Sequence, residues 1–367
     1  MPLYPLYALL FADHGLSDAA ISALFGLWSV TTLVLEVPSG AWADVTSRRR
    51  MLAASGVLSG AAFALWVLAP STPVFAVGFV LWGVGIALGS GTLEALTYDA
   101  LARWDATDRY ATLMGRARAG YLAATLGATA LAAPLVTTGG YVLPGLVGVG
   151  ASLAGAVLAL TLPEEERPPR AGGTTRHALA DWWATLREGV GEVSRTALLR
   201  RAVVVTALLT GLMAIDEYLP LLAAAHGATP ALAALALAGV GVAESACAAL
   251  AGRVARARGP VLGGLLAVAA VAVGTGALLP LGPGFALLGA GWGVLQMLLV
   301  VVETRVQDAV EGEARATVTS MAGLGSEAVG LGVLAAVGAG SVWFALPVLL
   351  AALTVPFLVV AVLVGRP

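Results

Sequence analysis

Residues 48–69 read RRRMLAASGVLSGAAFALWVLA: three arginines, then nineteen residues without a formal charge. At 1.5 Å per residue, about 20 apolar residues cross a ~30 Å hydrocarbon core as an α-helix. Lipid offers the backbone no hydrogen bonds, so the segment must satisfy its own N–H and C=O groups, and a helix does so. The arginines at its head mark the cytoplasmic end, because basic loops are retained on that side. One segment is thus read as a membrane span, and its orientation with it.

The pattern recurs along the whole chain. Hydrophobic residues make up 59% of the 367 positions and charged residues 11%, against roughly a quarter charged in soluble domains. Spans are placed at 2–14, 19–39, 51–69, 74–98, 112–136, 141–162, 201–223, 230–252, 261–280, 284–302, 317–338 and 342–364, with Pro, Gly, Ser and Thr punctuating between them. The expected fold is an all-α polytopic membrane protein of twelve helices. All twenty basic residues are arginines, and on this map they fall on one side. Both termini are therefore expected in the cytoplasm, in a cell (inner) membrane of bacterial type. Met1-Pro2-Leu3-Tyr4 has no basic region and no cleavage pattern, so it does not read as a signal peptide.

The one long polar stretch begins Pro163-Glu164-Glu165-Glu166-Arg167. Within it Leu179, Trp182, Trp183, Leu186, Val190 and Val193 follow helical spacing, as in an amphipathic helix lying on the membrane surface; a structureless linker is the alternative. Residues 1–163 are read as one six-helix bundle, 164–200 as a cytoplasmic linker and 201–367 as a second bundle.

The two bundles repeat each other. Ala12-Asp13-His14-Gly15 returns as Ala224-Ala225-His226-Gly227 at an offset of 212, and Gly40 falls on Gly252. Trp82-Gly83-Val84 returns as Trp292-Gly293-Val294, and Glu94 with Asp99-Ala100 as Glu303 with Asp308-Ala309. Two halves in the same orientation form a parallel repeat, an architecture that places a binding site between halves and works by alternating access.

Pro38-Ser39-Gly40-Ala41-Trp42-Ala43-Asp44-Val45-Thr46-Ser47-Arg48-Arg49-Arg50, after the second span, resembles the loop signature of the major facilitator superfamily. Gly40, Asp44, Arg48 and Arg49 stand where that signature has Gly, Asp, Arg and a basic residue, while Val45 and Ser47 depart from its usual Arg and Gly. The second half's counterpart, Gly252-Arg253-Val254-Ala255-Arg256, lacks the acid. The resemblance extends over the whole chain and implies a secondary transporter. It also implies a gate, with Asp44 at the N-terminus of the eleventh span and Arg48 or Arg49 paired with Glu94 or Asp99; the alternative is that the arginines set topology alone. Two features of proton-coupled drug exporters are weak: the fourth span carries no arginine, and Gly120, Gly127, Ala133-Pro134 and Gly139-Gly140 only approximate their glycine pattern in the fifth. Efflux is left open.

Ionisable residues inside a membrane are costly and usually face a cavity or a partner. Glu327, Asp216, Glu217, Glu244 and Glu36 fall within predicted spans with no basic residue at comparable depth. Desolvation disfavours an unpaired charge, so these acids are candidates for carrying a coupling proton, or else structural hydrogen-bonding groups. Tyr4, Tyr7, Trp82, Tyr218, Trp292 and Gln296 are candidate cavity-liners, interior packing being the alternative for the tryptophans. His14, His177 and His226 lack metal-ligand spacing, and no nucleophile elbow or phosphate-binding glycine loop occurs, so no metal, cofactor or catalytic residue is expected. Cys247 reads as packing. The expected partners are a small-molecule substrate, protons and the bilayer, with no nucleic acid and a monomeric state. A polytopic membrane enzyme, or a non-transporting sensor or scaffold, are the rival readings.

The first span is expected to be short: residues 2–13 give roughly 18 Å of helix against a ~30 Å core. At the 212 offset Met1 falls on Met213, so residues 202–212 have no counterpart. Either the natural gene encodes about 10–20 more residues upstream, enough to complete a span, or the first helix starts inside the protein. In both cases Tyr4 and Tyr7 are expected near the membrane's middle, facing a cavity opposite Asp216.

Overall fold

The computed structural model describes residues 1–164, 197–309 and 314–365. Among them the chain is helical throughout. The helices are α1 (Tyr7–Asp13), α2 (Asp18–Val45), α3 (Arg48–Leu68), α4 (Thr72–Gly89), α5 (Thr92–Arg103), α6 (Tyr110–Gly139) and α7 (Val142–Leu160), then α8 (Ala197–Leu212), α9 (Leu219–Ala225), α10 (Pro230–Ala248), α11 (Ala251–Val254), α12 (Gly259–Leu278), α13 (Leu281–Ala309), α14 (Ala314–Gly340), α15 (Leu346–Ala352) and α16 (Val355–Gly365). Eleven segments are long and apolar enough to cross a membrane, and α1 with the turn before it is the short twelfth element. The amphipathic helix expected over 179–193 lies outside the described residues.

Small residues let helices approach closely. A Cβ added at Gly56 on α3 would lie 2.9 Å from the Ser152 carbonyl oxygen of α7, and one at Gly145 2.5 Å from Val67. In the second half a Cβ at Gly211 of α8 would meet Ser326 O of α14 at 2.5 Å, and one at Gly263 of α12 would meet Ala361 O of α16 at the same distance. Larger residues at these positions would push the helices apart.

The described residues form two compact units. One holds Met1–Gly15 and the chain from Leu24 to Glu164; the other holds Leu16–Ala23 and the chain from residue 197 onward. The first turns of α2 thus pack with the second unit, and the rest of α2 with the first.

The repeat is visible in the backbone. A 3-10 turn, Tyr4–Leu6, leads into α1, and another, Met213–Tyr218, leads into α9; the bounds of α1 and α9 then correspond residue for residue at the 212 offset. Both end alike: His14 N–H donates to Leu10 O at 3.2 Å and His226 N–H to Leu222 O at 3.1 Å. Gly15 and Gly227 follow with φ of 84° and 82°, a left-handed cap that glycine adopts without a Cβ penalty. Met1 lies beside Gly148 and Ser152, its sulfur 3.6 Å from Ser152 Oγ. That is six to ten residues into α7, roughly 9–15 Å along its axis, so the first helix begins within the depth of the bundle.

Four spans differ in detail from the sequence reading. The fourth breaks at Ser90-Gly91, where Gly91 has φ 66°. The seventh tightens into the 3-10 turn, and the eighth stops at Ala248. The last starts at Leu346, not 342, and is interrupted between Ala352 and Val355.

Candidate functional site

In the second unit, Pro220 has no N–H to give the carbonyl of Asp216, four residues earlier, so the regular ladder cannot continue. The chain winds more tightly over Met213–Tyr218 instead. This turn sets Asp216 and Glu217 within the span Leu199–Ala225. Asp216 is exposed and Glu217 partly buried. Both carboxyls lie within electrostatic reach of one another, and Asp216 also within reach of Glu244 on α10. Gln296 and Trp292 of α13 direct side-chain hydrogen bonds to the Glu244 carboxyl. Sequence reading named each of these five residues separately; the fold gathers them. Glu327 on α14 and Glu36 on α2 are both exposed.

The first unit has rings where the second has acids. Tyr7 is 3% exposed and packs against Phe11, Phe25, Trp66, Phe79 and Trp82 at centroid distances of 5.6–6.1 Å. Trp82 stacks on Trp28 at 5.2 Å and 19°, and the edge of Tyr4 approaches it at 5.9 Å. Trp66 donates its indole N–H to Phe75 O at 3.1 Å. Of the residues expected to line a cavity, Tyr4 is exposed, whereas Tyr7, Trp82, Tyr218 and Trp292 are buried. In those four the ring packs against neighbours, because a large aromatic surface gains most from close contact. The Tyr218 hydroxyl pairs with Ser22 Oγ of α2 at 2.6 Å, inside the second unit.

At the arginine-rich end of the first unit, Arg48 Nη1 lies 2.7 Å from Asp99 Oδ2 on α5. Glu94, the other acid considered for that pairing, is exposed one turn earlier. Gly40 on α2 has open space beside it, and the side chain of Asp44 lies outside the described residues. Arg49 turns to Glu164, its Nε 3.7 Å from Oε2. Glu164 also accepts from Ser47 Oγ and from the backbone N–H groups of Arg48 and Arg49. Its carboxyl therefore caps the N-terminus of α3, where unpaired backbone donors favour an acceptor. Sequence reading had placed Glu164 in the linker; an acid immediately after a span, with Ser47 as a ready N-cap, was the available signal. The second unit closes the equivalent end differently. Arg305, on α13, donates to the carbonyls of Ala255 and Ala257, at 2.8 Å to Ala255.

A family model described as Major Facilitator Superfamily matches residues 1–333. Among curated proteins, no sequence matches significantly. A solved nucleoside transporter, NupG, is similar at TM-score 0.75 and 14% identity, covering 100% of this chain and 95% of that one. A bacterial homologue of the human lysosomal transporter Spinster, inward-facing and occupied, has TM-score 0.77 at 14% identity, with 99% and 91% covered. A D-xylose–proton symporter has TM-score 0.68 at 16% identity, with 99% and 91% covered. At such identities the likeness is one of fold.

Proposed function

The chain belongs to the major facilitator superfamily, and on that premise we propose that it carries a small molecule across a bacterial inner membrane by alternating access, with protons as the coupling ion. The observation behind the coupling is the set of Asp216, Glu217 and Glu244, within electrostatic reach in a stretch without arginine or lysine from residue 202 to 252. Intramembrane acids commonly serve as proton relays. A carboxyl loaded from one side and emptied to the other links the gradient to the carried molecule. The fold neighbours include a nucleoside transporter and a xylose–proton symporter, so fold alone selects no substrate.

The test is accumulation into proteoliposomes under an imposed pH gradient, beginning with a labelled nucleoside and D-xylose and widening from there. Uptake above equilibration that collapses with a protonophore is the expected result. Equal filling with and without the gradient would remove proton coupling, and no uptake of any compound would favour a sensor or scaffold. Import and export differ in the sign of the gradient that drives uptake. Orientation has its own check. Cysteines at Thr72 and Gly282 should react with an impermeant reagent on intact cells, and one at Ser47 should not.

A further inference from the structure

The sequence reading starts the last span at 342, whereas its helix begins at Leu346. Val342, Trp343 and Phe344 therefore lie in the turn between α14 and α15. They are 70%, 81% and 59% exposed, three large apolar side chains in a row. The turn that carries them is not loose. Ser341 N–H donates to Val337 O, and the N–H groups of Trp343 and Phe344 both donate to Gly340 O, each at 2.9 Å. The Ser341 hydroxyl donates to Gly338 O at 3.0 Å. These polar groups are satisfied inside the turn while the apolar side chains stand out of it. Backbone donors bonded within their own segment are what a water-poor surrounding requires.

We propose that Val342, Trp343 and Phe344 enter the lipid headgroup boundary and anchor that end of the second unit to the bilayer. Position selects lipid as the occupant. The turn joins two segments long and apolar enough to cross a membrane, Thr319–Gly340 and Leu346–Gly365, and no charged residue occurs from 328 to 365. It therefore lies where a span ends and the headgroup region begins. At that depth an indole gains from its apolar body and its N–H together, which is why Trp is enriched there. Left in water, three such side chains would form an adhesive patch; the bilayer covers them without any partner. The first unit treats its corresponding turn, between α6 and α7, in another way. Its ring, Tyr141, donates its hydroxyl to Asp13 Oδ2 at 2.6 Å, so this aromatic is tied to the protein. Anchoring at this end thus belongs to the second unit.

The experiment uses the full chain in lipid nanodiscs, which expose both membrane faces. The native Cys247 is replaced by Ala, and Val342→Cys carries a small fluorophore, so that both rings remain. Quenching by lipid with a nitroxide near its headgroup is compared with quenching by iodide in the water. Strong lipid quenching and weak iodide quenching are expected. The same fluorophore on Ser71→Cys, at an exposed turn of the first unit, should show the reverse. Trp343→Ala with Phe344→Ala should lose most of the lipid quenching at 342 and gain iodide quenching. Trp343→Tyr should keep the native pattern, because tyrosine also has an apolar body and a polar tip. Each replaced side chain in the turn is exposed, so these variants are expected to fold. Dominant iodide quenching in the native turn would put the rings in water, and shielding from both quenchers would put a protein over them, a second copy or another partner. Either result overturns the anchor, and so does lipid quenching that survives the loss of both rings. No carried compound and no gradient enters these measurements, so loss of the coupling proposal leaves them intact, and the reverse.

Discussion

Trp82 and Trp292 occupy corresponding places in the two halves, on α4 and α13, and their surroundings could hardly differ more. Trp82 is stacked on Trp28 and edged by Tyr4. Trp292 points a hydrogen bond at Glu244. At the position matching Glu244 the first half has Thr32, whose hydroxyl turns back to Trp28 O at 3.0 Å, and at the position matching Gln296 it has Ile86. Repetition has kept the backbone, down to the 3-10 turns and the glycine caps, while side-chain chemistry has diverged. One half packs rings, and the other gathers carboxyls. A repeat in sequence therefore predicts architecture far better than it predicts which half does the chemistry.

The comparison breaks first on charge. Glu244→Gln should abolish gradient-driven accumulation while substrate exchange continues, and Asp216→Asn with Glu217→Gln should do the same. Thr32→Val, the matching change in the first half, should leave accumulation near native. Glu327→Gln belongs in the series, because an acid outside the gathered set that proved essential would move the coupling site to α14. Equal losses from Thr32→Val and Glu244→Gln would erase the contrast between the halves.

Packing gives the next effect. Trp82→Ala removes the centre of the aromatic cluster and should cost about 3–5 kcal/mol, as large aromatic truncations in cores do. Thermal unfolding in detergent reads it, and a loss below 1 kcal/mol, roughly a surface substitution, would mean the rings are not a core.

A smaller difference is expected at the arginine-rich ends. Arg48 pairs with a carboxylate that is 38% exposed, so screening limits the bond to about 1 kcal/mol, or about fivefold in transport rate. Arg48→Ala and Asp44→Asn should each slow transport more than they lower expression. Arg305→Ala, which frees backbone carbonyls from a donor, should affect folding yield more than rate. If Asp44→Asn transports normally, the loop signature sets topology and no more.

The smallest effect lies at the opposite end of the first unit. Tyr141 donates to Asp13 Oδ2 at 2.6 Å, and burial, then that bond and the Asp13 charge, push its phenol above the ordinary value of 10.0. The folded protein therefore holds this proton more tightly than the unfolded chain. The resulting stability is present below about pH 10, the free phenol's value, and fades as pH rises beyond it. Tyr141→Phe should remove that share of alkaline destabilisation, and a melting curve against pH from 8 to 11 reads the difference.

Much of the fold was legible because the bilayer punishes error. Nineteen uncharged residues after Arg48-Arg49-Arg50 admit few alternatives to a spanning helix, and a wrong span count would have scattered arginines to both faces. The 212 offset carried the short first helix and paired Gly15 with Gly227, and an offset of 210 paired Trp82 with Trp292. What escaped depends on which atoms meet. Nothing in the sequence around Ser90-Gly91 distinguishes a broken helix from a continuous one, as the unbroken glycine-rich run 289–293 of α13 shows. Arg305 reads as a topology residue until Ala255 and Ala257 turn their carbonyls toward it. Glu164 reads as linker until the N-terminus of α3 is found beside it. Local pattern specifies elements, whereas capping by a distant side chain is settled only by packing.

The break at Gly91 has a mechanical meaning. In the second half, α13 runs unbroken from Leu281 to Ala309, so Trp292 and Arg305 sit on one stiff shaft, thirteen residues or roughly 20 Å apart. A displacement of the Arg305 end is expected to carry Trp292, and its hydrogen bond to Glu244, along with it. In the first half the corresponding shaft is broken at Ser90-Gly91 between α4 and α5, and Arg48 pairs with Asp99 on the short piece beyond the break. A pull at the Arg305 end is therefore expected to reach the carboxyls as leverage, and a pull on Arg48 to spare the aromatic cluster.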